Sequence, residues 1–192
     1  MNVALRAKAV LTAPARAWSE IESEPGDAAE VLSGYVAPLA LLPALSGFIG
    51  ACLVGVAVPG IGVVRAPVLD GLFGAILGFV MTCATVLVLA LVIRLLAPLF
   101  DARRDFDSAF KLAVYSYTPV WLAGVFLLAP GLRFIALTAV YGAYILWVGL
   151  PVLMESPSAK APAYTAAVTV CACALTLLAG AAQHALFGIG GL

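Results

Sequence analysis

Five long apolar runs, separated by short stretches rich in glycine, proline and charge, set the rhythm of this chain. A helix that crosses a bilayer needs about 20 largely apolar residues. The runs that meet this length are Tyr35–Val58, Leu69–Pro98, Ala109–Ala129, Arg133–Met154 and Tyr164–Phe187. The pattern predicts an all-α fold, a polytopic membrane protein with five transmembrane helices in a bundle. The joining stretches "PGIGVVRAPV", "LFDARRDFDS", "PGL" and "ESPSAKAPA" carry most of the turn-forming residues. Residues 1–34 lie outside the runs and form a cytoplasmic N-terminal segment, leaving 35–192 as the membrane domain. Within that segment "TAPARAWSEIESE" reads as a short interfacial helix. Thr12 is placed to cap it, Pro14 suits its first turn, and Trp18 and Ile21 share one face. Those two side chains are expected to anchor the helix in the inner leaflet.

Composition supports the membrane reading. The chain of 192 residues is 64% hydrophobic and 10% charged, whereas soluble domains carry about 25% charge. Lysine plus arginine balances aspartate plus glutamate at ten each, and no basic stripe with interleaved aromatics occurs, so no nucleic-acid partner is expected. The cations are unevenly placed. With the N-terminus inside, Arg6, Lys8, Arg16, Arg94, Arg103, Arg104, Lys111 and Lys160 fall on the cytoplasmic side, and Arg65 and Arg133 fall opposite. This asymmetry predicts a cytoplasmic N-terminus and an external C-terminus. Among the acids only Asp70 lies outside. Glu20, Glu22, Glu24, Asp27 and Glu30 read either as a docking surface or as a solvated face.

Lipid gives helices no hydrophobic reason to associate, so small residues mark where backbones meet. The first span spaces Pro43, Gly47, Ala51, Gly55 and Pro59 four apart. The second carries Gly71, Gly74, Gly78, Thr82 and Thr85, and the fifth Thr165, Thr169, Cys173, Thr176, Gly180 and Gln183. These stripes predict helix-packing or oligomer seams, and the fifth-span stripe would also suit a pore wall.

Signs of catalysis are sparse. The HExxH, GxxxxGK[ST] and GxSxG patterns are missing, and His184 has no evident nucleophile partner. The interiors of the spans hold no Asp, Glu or His that would couple to ions. Cys52, Cys83, Cys171 and Cys173 fall in apolar stretches and read as small fillers. No enzyme activity, cofactor or metal is expected. The polar feature that remains is "VYSYTP", residues 114–119. Pro119 deprives the Tyr115 carbonyl of its helical donor and should kink the third span. Lys111, Tyr115 and Thr118 share a helix face, Tyr117 and Trp121 another, and the fourth span offers Thr138, Tyr141 and Tyr144. Two readings stand. One is a bend satisfied by local hydroxyls. The other is a cytoplasm-facing polar crevice with Lys111, Tyr115, Ser116, Tyr117, Thr118, Pro119, Tyr141 and Tyr144 as ligand candidates.

"FKLAVYSYTPVWLAG", followed by "YGAYILWVGLPVLM" and Lys160, resembles the Yip domain family, named for Ypt/Rab-interacting proteins. The Tyr-x-Tyr-Ser-type run ending in proline is matched by Tyr115, Ser116, Tyr117, Thr118 and Pro119. Trp18, Ile21 and Glu24, then "YVAPLALLPALSGFIG", look like the lead-in of bacterial members. The resemblance implies five spans, a cytoplasmic N-terminus and, in eukaryotes, vesicle trafficking through small GTPases. The long N-terminal region and the Asp-Leu-Tyr-Gly-Pro element of many eukaryotic members are missing here, with "SGYVAPL" in that place. These departures argue against carrying GTPase binding over. The chain thus reads as a non-enzymatic membrane-organising or protein-interaction module of a bacterial inner membrane. It would contact lipid and either self-associate or bind other membrane proteins. The alternative is a channel or carrier for a small solute or ion.

Overall fold

The structure, a computed structural model, describes residues 2–24, 26–58, 60, 62–128 and 135–187. Pro59 and Arg133 lie outside these, as does the side chain of His184. The N-terminal segment forms two helices, α1 (Val3–Thr12) and α2 (Pro14–Ser23), where one was expected. Asn2 caps α1 by accepting from the Leu5 amide at 3.2 Å. With proline at the first position of α2, the capping residue is Ala13, which has no side-chain oxygen to offer. Thr12 therefore does not cap α2. It closes α1, donating its hydroxyl to the Lys8 carbonyl at 2.8 Å.

The first membrane helix starts before Tyr35, at Ala28, and runs to Val54. Asp27 caps it by accepting from the Glu30 amide at 2.9 Å. It comprises α3 (Ala28–Val31) and α4 (Ala37–Ile49), with one turn of π-helix between them and another at the end, over Gly50–Val54. Proline accounts for the first widened turn. The Pro38 ring would clash with the Gly34 carbonyl in a regular helix, and the Ala37 amide reaches back to the Leu32 carbonyl. Gly55 then ends the helix at φ +82°, a conformation costly for any residue with a Cβ. Gly55 thus terminates the helix and does not extend the expected seam. Beyond it β1 (Val56–Val58) pairs antiparallel with β2 (Gly62–Val64). The final turn of the expected first span is strand instead, consistent with its β-branched valines.

The remaining helices are α5 (Val68–Leu96), α6 (Phe106–Ala123), α7 (Ile135–Leu153) and α8 (Ala161–Phe187). Turns of 3₁₀-helix extend α5 to Phe100 and α6 to Leu128. Among the described residues, four helices are long and apolar enough to cross a membrane, and Val140–Leu153 is a shorter apolar one. The result is an all-α bundle of membrane type with one small hairpin. α6 is its centre: from Ala109 to Trp121, all but Lys111 and Val120 are buried. The outside of the bundle is apolar. Phe73, Ile76 and Val80 on α5, and Val170, Leu177 and Leu178 on α8, stand at least half exposed. That inversion of the soluble pattern suits a hydrocarbon solvent.

Packing of the small residues is uneven. A Cβ on Gly71 would collide with Cys52 Sγ, and one on Gly78 would lie 2.7 Å from Gln183 Nε2. These two glycines do bring helices together. Gly47 and Gly180 face open space. With Ala51 and Gly74 they border a cavity of about 320 Å³ between the first membrane helix, α5 and α8. Close approaches also fall at glycines outside the stripes. A Cβ on Gly149 would lie 2.5 Å from the Trp18 ring, and one on Gly142 would lie 2.8 Å from the Ser116 carbonyl oxygen.

The loops after α5 and after α7 meet at one end of the bundle. The Arg103 amide donates to the Met154 carbonyl at 2.7 Å. Arg103 also pairs with Glu155 at 3.2 Å, and Lys160 pairs with Asp101. Asp101 and Glu155 both adopt left-handed backbone, at φ 53° and 51°. Exposed pairs of this kind contribute at most about 1 kcal/mol each, so the backbone bond and the turns set the loop geometry. Because α1 and α2 fold over the same end, most of the cations gather there.

Candidate functional site

Four consecutive residues of the "VYSYTP" stretch are directed to two sides of α6, because α6 is surrounded. Successive residues on a helix advance by about 100°, so Tyr115 and Thr118 share one face and Ser116 and Tyr117 look toward another. Tyr115 faces the N-terminal arm and the first membrane helix. Its ring lies 6.0 Å from Trp18 and 4.7 Å from Tyr35. Tyr117 reaches α8, where its hydroxyl and that of Thr176 share a hydrogen bond of 2.7 Å. Thr118, fully buried, shares one of 2.9 Å with the Tyr35 hydroxyl. Ser116 faces α7 and α8, and its buried hydroxyl has no hydrogen-bond partner among the described residues.

The expected crevice residues therefore do not converge. Tyr141 lies away from them and donates its hydroxyl to the Leu11 carbonyl at the end of α1. Tyr144 points outward, 44% exposed, beside Trp147. Pro119 sits within continuous α-helix, in the buried core of α6. Most of the hydroxyls in and around this stretch are held by other protein groups, as the lipid interior demands of buried polar atoms. Trp121 belongs to the same set, its indole donating to Thr82 at 3.3 Å.

Trp18 and Ile21 are also not where a leaflet anchor would be. Both are essentially fully buried. Trp18 inserts against α6 and α7 and donates its indole N–H to the Ile145 carbonyl at 3.0 Å. Gly149 and Leu112 form the notch that receives its ring. The aromatic residue that looked like a lipid anchor is the pin that fastens α2 to the bundle. Sequence reasoning misses this because an apolar face on a short amphipathic helix reads the same whether lipid or protein covers it.

This pinning creates an open cleft of about 880 Å³ at the cation-rich end. Its walls are the arm, the start of the first membrane helix and the first turns of α6. Arg6, Glu20, Glu24, Glu30, Lys111 and Tyr115 line it. Glu24 is its organising group. Its carboxylate pairs with Arg6, and its carbonyl accepts from Lys111 Nζ at 2.9 Å. Burial works against the charge of Arg6, but the hydrogen bond and charge of Glu24 outweigh it and raise its pKa. Of the crevice candidates, Lys111 and Tyr115 border this cleft, and Ser116 and Tyr117 border a separate apolar groove. Arg6 and Tyr35 escaped the sequence reading, the first counted only as a cytoplasmic cation and the second taken as the ordinary start of a span, whereas Glu24 was among the acids read as a docking surface or a solvated face.

The chemistry available is polar contact. No group of three or more His, Cys, Asp or Glu among the described residues is placed to hold a metal. The four cysteines are free thiols. No curated protein and no solved structure matches the chain. The family model of the Yip1 domain matches residues 8–180, nearly the whole length from the arm to α8, and the chain belongs to that family.

Proposed function

We infer that this protein is a non-enzymatic interaction module of a bacterial inner membrane, engaging partners through its cation-rich end. The N-terminus would be cytoplasmic and the C-terminus external. The observation that carries this reading is the arm pinned by Trp18, which holds an open cleft lined by Arg6, Glu20, Glu24, Glu30 and Lys111. Charged rims that stay in water suit reversible contact with a protein surface. The partner would be another membrane protein or a further copy of the same chain. Transport through the expected crevice finds less support, since Tyr117, Thr118 and Tyr141 bond to protein groups and do not face one common space. Small-GTPase binding is not part of the proposal.

Photocrosslinking in native membranes tests it, with the crosslinker at Ser33 on the cleft and at Leu72 on the apolar exterior as a control. A discrete adduct from Ser33, absent from Leu72, is expected, and its mass distinguishes a second copy from another protein. A chain that yields no adduct from the cleft and stays monomeric overturns the proposal.

A further inference from the structure

A second recess lies deep in the bundle, away from the charged cleft. It is a groove of about 310 Å³ over α6, between α7 and α8, lined almost wholly by apolar atoms. Small residues keep it open: Gly142 and Ala143 on one wall, Ala172 and Cys173 on the other. Leu177, 74% exposed, stands at its edge, so the groove opens sideways onto the lipid-facing surface.

Two hydroxyls in this groove are unsatisfied. Ser116 Oγ and Thr169 Oγ1 are buried and have no hydrogen-bond partner among the described residues. Ser116 is only 8% exposed. Membrane hydroxyls ordinarily bend back to the carbonyl four residues earlier. On α8 itself Thr165 does so to Ala161 and Thr176 to Ala172, both at 2.8 Å. Thr169, between them on the same helix, does not. A lone polar atom in hydrocarbon is costly, and two of them border one groove.

Depth narrows the ligand. Ser116 and Thr169 lie about 15 and 12 Å along their helices from Phe106 and Ala161, at a rise of about 1.5 Å per residue. In a hydrocarbon core about 30 Å thick this is near the midplane. Phospholipids bring only methylenes to that depth, because their ester and headgroup oxygens stay at the interface. An occupant that satisfies both hydroxyls must carry acceptor oxygens on an otherwise apolar body.

We propose that the groove between α7 and α8 binds a lipid-soluble carbonyl compound, of which the isoprenoid quinones are the natural class, with Ser116 and Thr169 donating to its carbonyl oxygens. The groove is of the right order for a ring, since small-ligand pockets begin at about 300 Å³. The tail would leave along the lipid face past Leu177. No electron transfer is implied; the site recognises the molecule.

Equilibrium binding of a labelled decyl-benzoquinone to the full chain in nanodiscs tests this. Wild type should bind saturably, and decylbenzene, which has the tail and ring without carbonyls, should compete poorly. The double variant Ser116→Ala with Thr169→Val should bind roughly tenfold more weakly, and Ser116→Thr should retain binding. Ala143→Phe, which fills the groove, should abolish it. Tyr141→Phe, whose hydroxyl serves Leu11 elsewhere, should leave it unchanged. If the double variant does not fold, the wild-type competition and Ala143→Phe still decide. Absence of saturable binding, equal competition by decylbenzene, or undiminished binding by Ala143→Phe overturns the proposal.

Discussion

At the residue scale, single glycines and one tryptophan decide how the arm meets the bundle. Gly149 leaves room for the Trp18 ring and for Leu112, whose Cδ1 would lie 2.6 Å from an added Cβ. Gly149→Ala should therefore destabilise the protein by about 1–3 kcal/mol through overpacking, read as a lower unfolding midpoint in mixed micelles. Trp18→Phe keeps most of the apolar surface but leaves the Ile145 carbonyl without its indole donor. A loss of about 0.5–1.5 kcal/mol is expected, the net worth of one hydrogen bond, because this carbonyl inside α7 keeps its helical donor. Fluorescence- or circular-dichroism-monitored unfolding checks it, and a change within error would mean the bond contributes nothing net. A polar residue in this bundle is placed by its partner, not by its hydropathy, as Tyr35 and Thr118 show.

At the element scale, helix ends carry more information than helix middles. Asp105 begins α6 by accepting from the Ser108 amide at 2.9 Å. Hydrogen bonding from the Ser108 side chain is the main reason its carboxyl is held below the ordinary range; burial opposes it, and the Ser108 amide bond adds to it. Asp105→Ala should cost about 1 kcal/mol, the usual worth of such a cap. The sign of the pH dependence follows from the direction of the shift. The folded-state pKa is depressed, so the stabilisation is full above the unfolded value of about 3.9 and fades as pH falls through the folded value. Unfolding midpoints of wild type and Asp105→Ala should differ at neutral pH and converge below about pH 3.9. Persistence of the full gap in acid would refute the assignment. The same scale explains the first membrane helix. Pro38 produces a widened turn, that turn aims Tyr35 at α6, and Gly55 turns the chain into the hairpin.

At the scale of the whole molecule, an apolar exterior surrounds a polar-spined central helix, and charge collects at one end. On the proposed topology that end is cytoplasmic. Replacing Cys52, Cys83, Cys171 and Cys173 and adding single cysteines tests this. Val63→Cys on the exposed hairpin should react with a membrane-impermeant maleimide added outside intact inner-membrane spheroplasts. Arg16→Cys on α2 should react only after the membrane is opened. The reverse labelling pattern would invert the topology and move the cleft to the other side of the membrane.

The bilayer is a solvent with one stringent demand: that a spanning segment be long, apolar and internally hydrogen-bonded. That demand writes itself into local composition. The membrane class and the helical fold could therefore be read from the chain alone. So could the polarity of "VYSYTP", which has no local explanation. The directions of those side chains could not be read. Thr118 meets a residue 83 positions away, Tyr117 one 59 away, and Tyr141 one 130 away. Nothing in a period of 3.6 residues encodes such partners. For the same reason Trp18 looked like a lipid anchor until α7 covered it, and glycine stripes looked like seams until some of them proved to border a cavity. Hydropathy states only that a side chain leaves water; which neighbour receives it is decided when the helices come together.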